Sequence, residues 1–197
     1  AGHLFGLSGI KDRDLSQAMF RGRKLAQEYL AFYRKYVEGC ERMTHIATAA
    51  IPGIRETRRI LGEYVLSEAD FHARRSFPDE IGRYNYPIDI HGSQPSRQDF
   101  ARLTRELNKT GRLGDGESYG IPYRALIPKG SANLLVAGRC ISTDHRMQGS
   151  TRVMPCCFIT GQAAGVAAAL CCRQGIAPGD LDTELLRRRL REQGAYI

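Results

Sequence analysis

The spacing of apolar and polar residues predicts a long amphipathic helix early in the chain. Between Asp12 and Val37, apolar residues recur at helical spacing and basic residues lie between them. Gly39 is expected to end this helix, because glycine readily adopts the left-handed conformation found at helix ends. Aromatic and basic residues interleave here, as they do in some nucleic-acid-binding proteins. We interpret the pattern as a buried apolar face beside a solvated basic face. The aromatic residues concerned are Phe20, Tyr29, Phe32, Tyr33 and Tyr36.

Extended structure is predicted next. Residues 44–66 are rich in β-branched residues and contain the Pro52-Gly53 pair, which indicates two extended pieces, the second running from Ile54 to Val65. In such a strand Arg55 and Arg59 share one face, and Arg58 points to the other.

A short helix is expected at residues 67–74, where Ser67 can cap the first turn. Residues 76–122 are interrupted by prolines and glycines and predict loops and short strands, with one helix near residues 97–108.

The last third of the chain predicts strands followed by helices. Residues 121–127 are expected to form a strand, and residues 133–137 a second, buried strand that ends at Gly138. A polar loop then leads to Arg152. A helix of small apolar residues should run from about residue 158 to Gly175.

The free amide groups at the start of this helix form a site for an anion or a dipole. Its glycines and alanines allow a sheet or a flat ligand to approach closely, although a tightly packed helix without a ligand explains them equally. A charged amphipathic helix over residues 181–193 completes the chain.

Composition indicates a globular protein, with 42% hydrophobic and 25% charged residues. No apolar run approaches the roughly 20 residues of a membrane-spanning helix, so we expect a soluble protein without a membrane partner. The net charge is +8, and 24 of the 29 basic residues are arginine. This excess favours an anionic partner, or reflects compositional bias. The six cysteines show no zinc-binding spacing and are expected to be reduced thiols in the core.

Several motifs together resemble one protein family. They are LLVAGR at 134–139, GSTRVMP at 149–155, GQAAGVAAA at 161–169, GIRETRRILGEYVL at 53–66, YPIDIHG at 86–92 and YGIPYRALIPKG at 119–130. Taken in their order along the chain, these motifs resemble those of the FAD-dependent oxidoreductases with a glutathione-reductase-like fold. The resemblance extends from about residue 14 to residue 195.

The resemblance implies an α+β fragment of a two-domain α/β flavoprotein. Residues 1–128 would be the substrate-domain portion, and residues 129–197 would return to the FAD-binding domain. The implied reaction is hydride transfer between a small substrate and flavin N5. The basic residues of the expected cavity favour an anionic substrate.

The resemblance also implies a set of cofactor-binding residues. Gly138 and Arg139 would lie beside the ribityl chain, although many relatives carry an acidic residue where Arg139 stands. Residues 149–153 would form a turn beside the flavin ring, and the following helix would face the N1 and O2 end of that ring. The full set is Gly138, Arg139, Gly149, Ser150, Thr151, Arg152, Val153, Gly161 and Gln162.

The candidate catalytic residues are basic side chains in the matching motifs. Arg55 or Arg58 is expected to line the substrate cavity, together with His91, His145 and Arg152. Arg124 and Asp144 are weaker candidates, because a surface salt bridge explains either of them. No metal site is expected.

A dinucleotide-binding strand, GxGxxG and helix do not occur in this sequence. We therefore expect a separate N-terminal FAD-binding half of the same protein as a partner, and weak or absent FAD binding by this chain alone. A cytoplasmic location is expected. The alternative function is a non-enzymatic basic module that binds nucleic acid or another polyanion, but the arginines are dispersed and no nucleic-acid-binding motif is found, so nucleic acid is not an expected partner.

Overall fold

The structure is a computed structural model that describes residues 3–91 and 96–197. It is a mixed α+β fold, mostly helical, with a small two-stranded sheet. The described residues form two compact units: residues 3–57 with Ser96, and residues 58–91 with 97–197. The division expected near residue 128 stays a prediction.

The first unit is built on helix α1, Asp12–Tyr36, which confirms the predicted helix. Acidic residues lie in its first turn and basic residues in its last, the arrangement that complements the helix dipole. The chain leaves α1 in an extended conformation at Val37 and turns at Gly39, whose φ is 83°.

The aromatic side chains of α1 are exposed, so the expectation of a buried face is wrong for them. Phe20 is 77% exposed and Phe32 is 51% exposed, and Ala18 is the only buried residue of this helix. One helix flanked by extended segments carries too little apolar surface to enclose such large side chains within its own unit.

The second unit contains an antiparallel pair of strands, β1 (Glu80–Tyr84) and β2 (Tyr119–Pro122), in which Arg83 lies opposite Gly120. The strand predicted over residues 121–127 is only partly correct. The chain continues from β2 into a 3-10 turn, Tyr123–Leu126.

Asp79 fixes this turn. Its backbone oxygen accepts from the Tyr123 amide at 2.8 Å, and its carboxylate accepts from the Arg124 amide at 3.0 Å. These bonds direct the backbone amide groups away from a continued ladder.

No regular strand forms at Ile54–Val65, contrary to the prediction. Residues 59–66 form no continuous strand, because their backbone groups bond to segments on two sides. The Ile60 amide donates to the Cys140 oxygen at 3.0 Å, and the Glu63 amide donates to the Ile127 oxygen at 2.9 Å. Bonding that changes sides produces isolated bridges instead of a ladder.

The buried strand predicted at residues 133–137 is not formed either. Leu134 is 50% exposed, and the Val136 amide donates to the Leu126 oxygen at 2.8 Å. The segment has the apolar sequence typical of a buried parallel strand, but neither β1 nor β2, the strands found among the described residues, pairs with it.

In the described part of the second unit there are five α-helices: α2, Glu68–His72; α3, Arg97–Thr110; α4, His145–Thr151; α5, Met154–Gln174; and α6, Thr183–Glu192. The predictions of α2, α3 and α6 are confirmed within a few residues. The polar loop expected before Arg152 is wrong, because most of it forms α4.

Helix α5 is the central element of the second unit. It begins at Met154, four residues earlier than predicted, and ends before Gly175, whose φ is 66°. A Cβ atom placed on Gly82 in β1 would lie 2.6 Å from Cγ2 of Ile159, so this glycine allows α5 to approach the sheet closely. Ala163 and Ala167 are fully buried on the same helix.

The opposite side of α5 is exposed and apolar, with Met154 70% and Phe158 68% exposed. Helix α5 is long enough and apolar enough to span a membrane, by length and composition alone. The expectation that no apolar segment approaches the length of a membrane-spanning helix is therefore wrong. A core helix meets the same criterion, and α5 contributes buried residues such as Ala163 to the core of its unit.

The cysteines do not all lie in the core as expected. Cys156 and Cys171 are buried on α5, whereas Cys140 and Cys172 are exposed. Cys156 lies in the first turn of α5 with its side chain in the core, and this burial raises the pKa of its thiol.

Candidate functional site

Helix α4 starts at a cap that also fixes α2. The Oδ1 atom of Asp144 accepts from the Met147 amide at 2.7 Å, and Oδ2 accepts from the Glu68 amide at 2.7 Å. A carboxylate at this position satisfies amide groups that a helix start leaves unpaired. Asp144 is therefore a structural cap. Its carboxylate binds two backbone amide groups, in place of the expected salt bridge.

Gly149, Ser150 and Thr151 are buried and lie in the helix α4, not in the predicted turn. Their position beside a flavin ring stays a prediction. The Ser150 hydroxyl lies 2.7 Å from the Tyr119 hydroxyl and donates to the Tyr86 backbone oxygen at 2.6 Å. Thr151 donates back to the Met147 oxygen.

Gly149 allows α4 to press against the segment that follows β1. A Cβ atom there would lie 2.7 Å from Cγ2 of Ile90 and 3.2 Å from the Asp89 backbone. This contact brings Asp89 beside Arg152, the residue that ends α4.

Arg152 and His91, two predicted site residues, converge on Asp89. The Arg152 guanidinium donates to the Asp89 backbone oxygen, and its Nη2 lies 3.7 Å from Oδ2 of the Asp89 carboxylate. Nε2 of His91 lies 3.3 Å from Oδ1 of the same carboxylate. We call these three residues the Asp89 cluster.

The Asp89 cluster is partly sheltered from solvent. The side chain of Arg152 is 10% exposed, compared with 31% for His91 and 40% for Asp89. The guanidinium is thus largely desolvated, while the histidine and the carboxylate remain accessible. Charges interact more strongly where water is excluded, so an anion that reached Arg152 would be bound more firmly than at the surface.

Sequence reasoning identified His91 and Arg152 but not Asp89. A signal was present in Ile88-Asp89-Ile90-His91, where apolar and polar residues alternate. Alternation in an extended segment places Asp89 and His91 on the same face.

His145 lies outside the Asp89 cluster. It is the exposed first residue of α4, whereas Arg152 follows the last. Seven residues of helix separate the two backbones by roughly 10 Å along the axis. The structure therefore does not support the expected grouping of His145 with Arg152.

The candidate arginines of the GIRETRR motif are divided between the two units. Arg55 is exposed in the first unit, where it lines a cavity of about 620 Å³ formed against α1. Arg58 is exposed at the start of the second unit. Its neighbour Arg59 donates from Nε to the Thr143 backbone oxygen at 3.1 Å, a contact that helps to hold the extended segment.

Arg124 has a structural role. Its Nε donates to Oδ2 of Asp79 at 2.9 Å and its Nη2 to Oδ1 at 3.1 Å, in the two-point geometry typical of arginine and carboxylate. This hydrogen bonding raises the pKa of Arg124. The guanidinium also lies 5.3 Å from the centroid of the Tyr64 ring.

The turn at Gly138 has the backbone conformation that glycine favours, with φ at 78°. Its amide donates to Oγ1 of Thr160 on α5 at 3.0 Å, which fixes the turn against that helix. Arg139 follows and is exposed. These two predicted cofactor residues are therefore presented by one turn, close to the first half of α5.

The start of α5 lies two residues beyond Arg152. Val153 occupies the cap position and provides no side-chain hydrogen bond, and Pro155 lies in the first turn. This end therefore keeps the partial positive charge of the helix dipole near the Asp89 cluster.

Gly161 and Gln162, two turns further along α5, are both exposed. A Cβ atom on Gly161 would meet nothing within 4 Å, whereas the Gln162 side chain donates to Oε1 of Gln193 beyond α6 at 3.0 Å. Gly161 therefore remains open to a close approach, and Gln162 ties α5 to the end of the chain.

Comparison with protein families matches residues 3–190 to the family described as FAD dependent oxidoreductase. A search of curated proteins found no match, and a search of solved structures also found none. The family match spans nearly the whole chain, including the Asp89 cluster, the Gly138 turn and α5. This chain therefore belongs to the FAD-dependent oxidoreductase family.

Proposed function

We propose that this chain forms the substrate-side and flavin-closing part of an oxidoreductase that transfers a hydride between a small, anionic substrate and N5 of FAD. Family membership supports the reaction class. The observation that carries the substrate side of the proposal is the convergence of Arg152 and His91 on Asp89, beside the start of α5.

The open surfaces around α5 fit a flat cofactor, and α4 does not. Gly138 and Arg139 form an accessible turn, the start of α5 has no side-chain cap, and Gly161 has open space around it. By contrast, Ser150 is enclosed by Tyr86 and Tyr119. We therefore place FAD against the Gly138 turn and α5.

FAD, when bound, supplies the two-electron acceptor at N5, and the protein supplies binding, orientation and proton handling. Of the residues in this chain, Gly138, Arg139 and Val153 would hold the cofactor. The positive end of the α5 dipole would stabilise negative charge close to Val153.

Arg152 is proposed to bind the anionic group of the substrate. A guanidinium presents two parallel N–H groups to a carboxylate, and the backbone oxygen of Asp89 holds this one in place. Its low exposure strengthens the interaction, because fewer water molecules compete for the N–H groups.

His91 is proposed to handle the substrate proton. When a carbon bearing a hydroxyl group is oxidised to a carbonyl, the carbon loses a hydride and the oxygen loses a proton. A histidine accepts and releases protons near neutral pH, and the ring of His91 is accessible. We therefore assign the proton from the substrate oxygen to a ring nitrogen of His91.

A dinucleotide-binding half of the same protein is proposed to grip the pyrophosphate and adenosine of FAD. The exposed apolar side of α5, including Met154 and Phe158, provides a surface against which such a domain would pack. This arrangement accounts for an apolar helix face that the described residues of its own unit leave uncovered.

Substitution of Arg152 tests the proposal. In the protein joined to its dinucleotide-binding half, Arg152→Ala should raise KM for an anionic substrate by about 10-fold or more, with a smaller change for a neutral analogue. Arg188→Ala, which removes an exposed arginine from α6, is the matched control and should leave both values unchanged. Equal KM values for wild type and Arg152→Ala would contradict the proposal.

A further inference from the structure

Asp89 is the residue through which the two functional side chains of the cluster meet. Its Oδ1 lies 3.3 Å from Nε2 of His91, and its Oδ2 lies 3.7 Å from Nη2 of Arg152. One carboxylate therefore faces an imidazole on one side and a guanidinium on the other. Neither the imidazole nor the guanidinium is placed by its own backbone alone.

The backbone around Asp89 is itself held firmly. Its carbonyl oxygen accepts from the Arg152 guanidinium, and the absence of a side chain on Gly149 allows α4 to lie close to the backbone of Asp89 and to the side chain of Ile90. The Ile88 amide donates to the Gly111 oxygen at 2.8 Å, which fixes the segment just before. The segment that carries the carboxylate is thus held by contacts on more than one side, while the Asp89 side chain remains 40% exposed.

We propose that Asp89 is a positioning residue, whose carboxylate sets the orientation of the His91 ring and of the Arg152 guanidinium toward one bound anionic substrate. This inference rests on the proposed function and extends it to a residue that does not touch the reacting atoms.

The contacts show that Arg152 and His91 depend on the Asp89 carboxylate to different degrees. Arg152 keeps its bond to the backbone oxygen whatever side chain stands at position 89, so its position depends only partly on the carboxylate. His91 meets the carboxylate through Nε2. A carboxylate at that nitrogen favours the tautomer that carries the proton on Nε2, as carboxylates beside functional histidines generally do.

Three variants test these two dependences. Asp89→Ala removes the carboxylate, and Asp89→Asn keeps an oxygen acceptor without the charge. Asp99→Ala removes an exposed aspartate on α3 as a control. The measurement is a long-range proton–nitrogen NMR spectrum of the full chain in mildly alkaline buffer. The ring signals of His91 are identified as those that disappear from the spectrum of His91→Gln.

The wild type should show His91 mainly with the proton on Nε2. Asp89→Ala should give a mixture of tautomers, Asp89→Asn should retain the Nε2 form, and Asp99→Ala should match the wild type. A His91 tautomer that is the same in wild type and Asp89→Ala would overturn the proposal, and this measurement needs no flavin.

Kinetics of the protein joined to its dinucleotide-binding half provide the second readout. Asp89→Ala should lower kcat by about 10- to 100-fold, the usual cost of removing a residue that orients a functional histidine. KM should change by less than about threefold, because Arg152 keeps its backbone contact. Asp89→Asn should recover most of kcat.

The outcomes distinguish the positioning role of Asp89 from the proposed function of the chain. If Asp89→Ala leaves kcat unchanged while Arg152→Ala raises KM, the positioning role is wrong and the proposed function stands. If no hydroxylated anion reduces FAD bound to the wild-type protein, both the positioning role and the proposed function are wrong.

Discussion

Individual glycines decide how closely elements of the second unit approach one another. At Gly149 a methyl group would collide with Cγ2 of Ile90 at 2.7 Å and with the Asp89 backbone at 3.2 Å. The backbone atoms cannot rotate away as a side chain can. The contact between α4 and the Asp89 segment therefore requires a residue without a Cβ atom.

Gly149→Ala should destabilise the protein by about 1–3 kcal/mol, the usual cost of overpacking a well-filled interior. Gly179→Ala is the control, because a Cβ atom there would meet nothing within 4 Å. The measurement is the free energy of unfolding from urea denaturation. Equal stability of the two variants would contradict the close packing of α4 against Ile90.

Buried tyrosines should make the protein sensitive to alkaline pH. Burial raises the pKa of Tyr119 well above its ordinary value, because the phenolate would lose its hydration. The full stabilisation is present below about pH 10, where the unfolded tyrosine is still neutral. Above that pH the unfolded chain loses the proton while the folded chain retains it, so stability falls as pH rises.

Urea denaturation at increasing pH tests this expectation. The free energy of unfolding of the wild type should fall more steeply above about pH 10 than that of Tyr119→Phe. The variant should also be less stable at neutral pH, by about 1 kcal/mol, because it loses the bond to Ser150. Parallel pH dependences would contradict the buried, neutral state of Tyr119.

Sequence reasoning at this scale found His91 and Arg152 because their residue types and motifs indicate chemistry. It did not foresee that Ser150 is buried, since a hydroxyl group in a glycine-containing segment gives no sign of whether it faces a ligand or the core. The partner of Ser150, Tyr119, lies 31 positions away, and only the fold brings them together.

Helix starts are the most informative feature at the scale of elements. The capping box of α2 at Ser67 is present as its sequence suggests, with Asp70 reaching back to the Ser67 amide. Asp144 serves two helices at once, which no local pattern reveals, because its second acceptor bond reaches 76 positions back to Glu68.

Asp144→Ala should destabilise the protein by about 2–3 kcal/mol, since two helix-start amides lose their acceptor. Asp182→Ala is the control: Asp182 caps only α6, through the Glu184 amide in an exposed setting, and should cost about 1 kcal/mol. Melting curves followed by circular dichroism measure the difference. Equal losses in the two variants would argue against a shared cap.

Gly161→Ala separates the stability of α5 from its proposed function. A Cβ atom at this position has open space, and alanine is favoured over glycine inside a helix by about 1 kcal/mol. The variant chain should therefore be more stable than the wild type in urea.

In the protein joined to its proposed dinucleotide-binding half, the same methyl group should weaken FAD retention, because the proposed cofactor surface includes this part of α5. Gly53→Ala, in the first unit, also has open space and provides the control. Unchanged FAD affinity in Gly161→Ala would remove Gly161 from the cofactor surface.

Periodicity predicted the long helices, and it failed where neighbours decide the structure. α1 was identified because 25 residues repeat the helical pattern. α4 is too short and too polar to show such a pattern, and its position depends on Asp144 and on contact with residues 89–90. The apolar segment at residues 133–137 has the composition of a buried strand, but a strand also requires a partner.

For the whole molecule, the described chain combines a well-packed second unit with apolar surfaces that remain exposed in each unit. Phe32 and Tyr36 are exposed on α1, and Met154 and Phe158 on α5. Large exposed side chains in such groups mark surfaces that bind other groups or domains. This feature agrees with a chain that completes a cofactor site instead of enclosing one alone.

The family was predictable from the sequence because six motifs occur in a characteristic order, and the match over residues 3–190 confirms it. The substrate could not be predicted, because the chemistry of a site depends on which side chains converge. Here that convergence joins Asp89 and His91 to Arg152, some 60 positions further along the chain.

Flavin binding measured by visible absorbance tests the central claim most directly. FAD is added to the chain alone and to the chain joined to its proposed dinucleotide-binding half, and unbound cofactor is removed. We predict that the joined protein retains stoichiometric FAD, which an anionic hydroxylated substrate bleaches, while the chain alone retains little. A joined protein that stays colourless after incubation with FAD, or a chain that retains stoichiometric FAD by itself, would contradict this account.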